Sequence, residues 1–204
     1  NYRAFGYDYV PITDHRRYYP SLEAIDFYRD VDCGLEIIPG EEIHLPDNDI
    51  HIVNFGGKYS INGLLDESAQ NKEKGEGAEF RSFEGFPCPP VMSADEYKAE
   101  VNALIPTLNI PDDIEKFTYA ACVWIFNHIR KAEGVGIYCH PYWISDMFQV
   151  PENITEYMLT QHPFDAYELL GGEVYYEQNG FQIASWNDIR AKGIDFPIVA
   201  STDS

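Results

Sequence analysis

Four separate stretches of this 204-residue chain share one form, a short apolar, β-rich run that ends in a carboxylate or an imidazole. Val10-Pro11-Ile12-Thr13 runs into Asp14-His15, and Val135-Gly136-Ile137-Tyr138-Cys139 runs into His140. Pro197-Ile198-Val199-Ala200-Ser201-Thr202 ends at Asp203. Gly40-Glu41-Glu42-Ile43 reads as the end of a buried strand, and the next strand, Ile50-His51-Ile52-Val53-Asn54-Phe55, opens with a histidine. Where neighbouring strands of an α/β fold terminate together, such side chains converge, and acids with imidazoles are what a metal site requires.

The segments between these runs have helical spacing. Pro20-Ser21 precedes Leu22, Ile25, Phe27 and Tyr28, the pattern of a capped helix, and Ser93-Ala94-Asp95-Glu96 has the form of a capping box. Asp112-Asp113 introduces a long helix over 114–132 that ends in Arg130-Lys131, a polarity that suits the helix dipole, and Gly134 is the expected stop. Further helices are expected over 153–161 and over 174–191, the latter broken near Gly180. Strands are expected over 7–13, 35–38, 50–55, 135–139, 165–170 and 198–201. Strands alternating with helices make an α/β fold with a mainly parallel sheet. The chain reads as a single domain over 1–204, with an insertion or lid at about 58–111 whose tip, Asn71 to Gly77, is polar and glycine-rich.

A formal charge of −20 argues against nucleic acid and against an anionic membrane face. No apolar run approaches the ~20 residues that span a bilayer. Cys33, Cys88, Cys122 and Cys139 are irregularly spaced, with no CxxC pair, so the expected compartment is a reducing cytoplasm.

Single residues are ambiguous by themselves. A lone His15 after a strand is more often structural, but Asp14 beside it makes a pair at a strand end, with Asp14 either orienting an imidazole or capping a turn. Glu41 and Glu42 are adjacent, so only one of them faces a given side of a strand. His51 opens an apolar strand and is favoured as a ligand, whereas His44 precedes an evident turn and reads as a surface residue. The proline after His140 predicts an extended backbone there. His128 reads as a helix-face residue and His162 as a cap, while Glu168, in an otherwise apolar strand, needs a partner or a site. No phosphate-binding glycine loop, GxSxG elbow or HExxH helix occurs.

Taken in order, ITDH, PGEEI, HIVNFGG, YCHP and VASTDS resemble the motifs of the polymerase and histidinol phosphatase (PHP) domain family of metal-dependent phosphoesterases. The resemblance implies a distorted seven-stranded (β/α) barrel with up to three divalent metals, zinc, manganese or iron, at the strand C-termini. It implies that Glu42 bridges metals, that His51 and His140 complete one site with it, that His15 serves another, and that Asp203 shares the first site with Glu42. Asp14, His15 and Glu42 are then the residues nearest the chemistry, and a small phosphorylated compound is the expected substrate. The family's first-strand His-x-His pair and the histidine of its last Asp-x-His motif have no counterpart here. The expectation is therefore a fragment lacking the first strand, in which only the Glu42, His51 and His140 site keeps all its protein ligands. The alternative is a catalytically incomplete barrel acting as a structural or interaction module.

Overall fold

The computed structural model describes residues 2–32, 34–44, 46, 50–70, 83–145, 148–172 and 178–203. The strands are β1 (Tyr9–Pro11), β2 (Glu36–Ile38), β3 (Gly40–Ile43), β4 (Ile52–Phe55), β5 (Val135–Tyr138), β6 (Ile144–Ser145), β7 (Phe148–Gln149), β8 (Ala166–Leu170) and β9 (Ile198–Ala200). The α-helices are α1 (Tyr19–Tyr28), α2 (Ala94–Leu104), α3 (Lys116–Lys131), α4 (Glu152–Gln161) and α5 (Gln178–Ala191). Cys33, the tip of the expected lid and the first residues of the last expected helix lie outside the described residues.

The class is α/β. Strands β1 and β2 pair in parallel, β6 and β7 form a short antiparallel ladder, and the larger sheet has the order β3-β4-β5-β8-β9. Among the described residues no closed seven-stranded barrel forms. The strand expected over 35–38 is β2, and Gly40–Ile43, expected only as a strand end, is a strand of its own, because Pro39 has no N–H to donate and divides β2 from β3, which belong to different sheets. The β6–β7 ladder was not expected.

The chain groups into two compact units. The first comprises Asn1–His44, Val53–Tyr97 and His128–Val135, and the second comprises Leu45–Ile52, Lys98–Asn127 and Gly136–Ser204. Part of the expected lid, 58–97, thus belongs to the first unit and the rest, 98–111, to the second.

In the first unit, Tyr18, Tyr19, Leu22 and Phe83 form a buried cluster, with Tyr19 and Phe83 edge to face at 5.6 Å. Pro20 sits in the first turn of α1 as expected, but Ser21 does not cap it; the Ser21 hydroxyl donates to Tyr18 O at 2.8 Å and accepts the Gly40 N–H at 3.1 Å. Helix α3 ends with Glu133 at φ +62°, so the left-handed residue is Glu133 rather than Gly134. Gly134 is needed for a different reason: a Cβ there would lie 2.8 Å from Gly57 Cα and 2.7 Å from Asn54 Oδ1.

In the second unit, Phe126, Tyr138, Phe164, Tyr167 and Phe196 pack ring on ring, with Phe164 and Phe196 at 5.0 Å. Strand β8 pairs in parallel with β5 (Tyr138 opposite Tyr167) and with β9 (Glu168 opposite Val199). The β8–β9 register shifts between Glu168 and Leu170, an irregularity of the kind that re-aims side chains beside a site. His162 caps α4 in the left-handed conformation, as expected.

Candidate metal centre

Strand β3 sets the first group of ligands. Its adjacent glutamates point to opposite sides, as alternation requires. Glu41 is fully buried, and its carboxylate accepts from the Ser60 hydroxyl at 2.6 Å, Asn62 Nδ2 at 2.9 Å, Asn54 Nδ2 at 3.3 Å and the Ile61 N–H. Burial pushes its pKa up, and these hydrogen bonds pull against that shift. Glu41 is thereby a structural anchor that ties the start of the 58–111 region to β3.

Glu42 faces the other way, into two imidazoles. His15 Nε2 lies 3.0 Å from Oε2, and His44 Nε2 lies 3.3 Å from Oε1. The two rings lie 4.9 Å apart. His15 reaches this place because the chain beyond β1 runs parallel to β3: Glu42 N–H donates to Asp14 O at 3.1 Å, and Arg16 N–H donates to Glu42 O at 2.9 Å. Asp14 is exposed and fixes this bridge through its carbonyl. His44, expected at the surface, is instead 13 % exposed in its side chain and belongs to the cluster. Its position two residues after Glu42 places it on the same side of an extended strand, a signal present in the sequence.

The second unit carries the other group. His51 Nδ1 lies 2.8 Å from His140 Nε2, and the Cys139 N–H donates to His51 O at 3.1 Å, holding the two segments in register. Trp143 stacks at a tilt on His51 at 5.2 Å. The other His140 ring nitrogen, Nδ1, lies 2.7 Å from Glu168 Oε2. The His140 backbone is not extended, as the following proline predicts, but has φ +23°; its N–H donates to the same Glu168 oxygen at 2.9 Å, which outweighs the local preference. Asp203 is exposed, has φ +51°, and joins neither cluster. His128 is buried on α3. Glu168 in an apolar strand signals the need for a partner, but nothing local in the sequence links it to His140 on a separate segment.

The donor set suits a divalent cation. Ligand atoms bound at about 2.0–2.2 Å around one ion lie roughly 3–3.5 Å from one another. The two Glu42–imidazole separations, 3.0 and 3.3 Å, fall in that range.

No protein-family model matches the chain, and no curated protein matches it. Among solved structures, the chain is similar to a two-domain protein from Bacteroides vulgatus ATCC 8482 containing a predicted PHP-like metal-dependent phosphoesterase. The TM-score is 0.45 and the identity 15 % over 96 % of this chain. The chain spans less than half of that protein, 43 %. No described helix is long and apolar enough to cross a membrane.

Proposed function

We propose that the chain is the metal-holding part of a PHP-type phosphoesterase that cleaves a phosphate ester with metal-activated water. The observation that carries this reading is the buried Glu42 carboxylate with an imidazole nitrogen on each of its oxygens. A buried carboxylate and imidazoles gathered in this way are donors suited to a divalent cation. Glu42, His15 and His44 would hold one ion. By the motif order, Glu42 would also hold a further ion with His51 and His140, and Asp203 would share a separate site with Glu42. Imidazole and carboxylate ligands suit zinc, manganese or iron.

Divalent cations, when bound, lower the pKa of a shared water and neutralise phosphoryl oxygens. The protein's part is to fix the donors. Glu42 is immobilised by the backbone bridge to Asp14 and Arg16, while His15, 66 % exposed, stands where a small phosphate ester can reach it. No serine or cysteine nucleophile is required. Cys88, Cys122 and Cys139 form no disulfide, in keeping with a reducing compartment as part of this reading.

The test is turnover. Chelator-stripped chain reloaded with Mn²⁺ or Zn²⁺ is assayed against p-nitrophenyl phosphate and bis(p-nitrophenyl) phosphate. Metal-dependent release of nitrophenol is expected, and Glu42→Gln should reduce it by more than the ~10–100-fold that losing an outer partner of a metal ligand costs. Turnover unaffected by Glu42→Gln would move the chemistry elsewhere. A metal-loaded chain with no turnover on either ester would favour the incomplete, structural module.

A further inference from the structure

The second unit contains a buried carboxylate that the proposed reaction does not use. Glu168 is 2 % exposed in the middle of β8, where an ionised group without partners would be very costly. Its partners come from three directions. Oε2 accepts the His140 backbone N–H at 2.9 Å and lies 2.7 Å from His140 Nδ1. Oε1 accepts the Ser201 hydroxyl, and the Glu168 carbonyl accepts Gln182 Nε2 at 3.2 Å. Gly171 leaves room for this, since a Cβ there would meet Glu168 Oε2 at 2.5 Å.

The arrangement decides a tautomer. A backbone N–H can only donate, so Oε2 is an acceptor, and the ring nitrogen that shares it must carry a proton. A neutral His140 is then protonated on Nδ1 and keeps its lone pair on Nε2, the atom that faces His51 at 2.8 Å. We propose that Glu168 is the positioning residue of His140: it holds the proton on Nδ1 and so fixes Nε2 as the atom that binds a cation. This rests on the reading of His140 as a metal ligand. It also decides against Cys139, His140 and Glu168 as a ligand set of their own, although their donor atoms lie within 4.8 Å. Nδ1 is occupied by a proton, the Glu168 oxygens are taken by donors, and Cys139 Sγ is directed at Ile137 O, 3.4 Å away. A carboxylate behind a ligating imidazole orients the ring and raises its basicity.

Two measurements test this on the 204-residue chain. Long-range ¹H–¹⁵N correlation on the labelled, metal-free protein, above the ordinary imidazole pKa, reads which ring nitrogen of His140 is protonated. The expected result is Nδ1–H; Nε2–H in the unsubstituted protein would overturn the proposal without any variant. Calorimetric Zn²⁺ titration then compares the unsubstituted chain with Glu168→Gln, which removes the charge, and Gly171→Ala, which pushes the carboxylate off the ring. Both should bind Zn²⁺ about 10–100-fold more weakly. Unchanged affinity in folded variants would overturn the proposal, and Gly171→Ala keeps the test open should Glu168→Gln fail to fold. An unsubstituted chain that shows Nδ1–H yet binds no Zn²⁺ would overturn the phosphoesterase reading instead, with the tautomer result standing.

Discussion

Adjacent glutamates on β3 have opposite duties, and the difference is one of partners. Four donors converge on Glu41 in the interior, whereas Glu42 meets two imidazoles. Removing the Glu41 carboxylate strands several buried donors, each costing about 1–3 kcal/mol. Glu41→Ala should therefore lower the unfolding free energy by at least about 3 kcal/mol in urea titration, while Glu42→Gln should leave stability nearly unchanged and lose metal binding. A reversed pattern would mean that the two roles are exchanged. At this scale the alternation of a strand was legible, and so were His15, Glu42, His51 and His140 as strand-end residues. His44 was obscured by the turn composition that follows it. The Glu168–His140 contact was illegible, since it depends on the pairing of β8 with β5, which spacing along one chain does not specify.

Local signals carried most of the elements. Ser93 and Glu96 form the reciprocal capping box of α2, with Ser93 N–H on Glu96 Oε2 at 2.7 Å and Glu96 N–H on Ser93 Oγ at 3.2 Å. The backbone N–H and then the hydroxyl of Ser93 hold the Glu96 carboxyl below its usual range. Because the folded pKa is the lower one, this contribution to α2 is present above the ordinary glutamate pKa and is lost as pH falls through the folded value. In an NMR titration, Ser93→Ala, which removes the hydroxyl but keeps the backbone N–H, should raise the Glu96 pKa part of the way towards the ordinary glutamate value; an unmoved pKa would refute the hydroxyl's role in the cap. Glycines separate in the same way. Gly180 lies in α5 with open space around it and does not break the helix, so Gly180→Ala should stabilise by about 0.5–1 kcal/mol. Gly134→Ala meets the Gly57 backbone and should cost about 1–3 kcal/mol. Chemical denaturation checks both signs. What composition concealed was the division at Pro39 and the two-residue strands β6 and β7, too short for any periodicity to register.

At the scale of the whole chain, a formal charge of −20 draws cations in, and in the proposed reaction it would keep a phosphate ester out until they are bound. That order of events follows from the acidic surface and from donors already gathered on Glu42. Under the proposed reading, Glu42 and His140 are ligands of a common ion. A double-mutant cycle in Mn²⁺ binding, measured by calorimetry on the unsubstituted chain, Glu42→Gln, His140→Ala and the double variant, tests this most directly. If the ion is common to both residues, the binding event abolished by His140→Ala is among those abolished by Glu42→Gln, and the double variant loses nothing beyond Glu42→Gln. Losses that add independently, one binding event for each substitution, or no saturable binding in the unsubstituted chain, would contradict it.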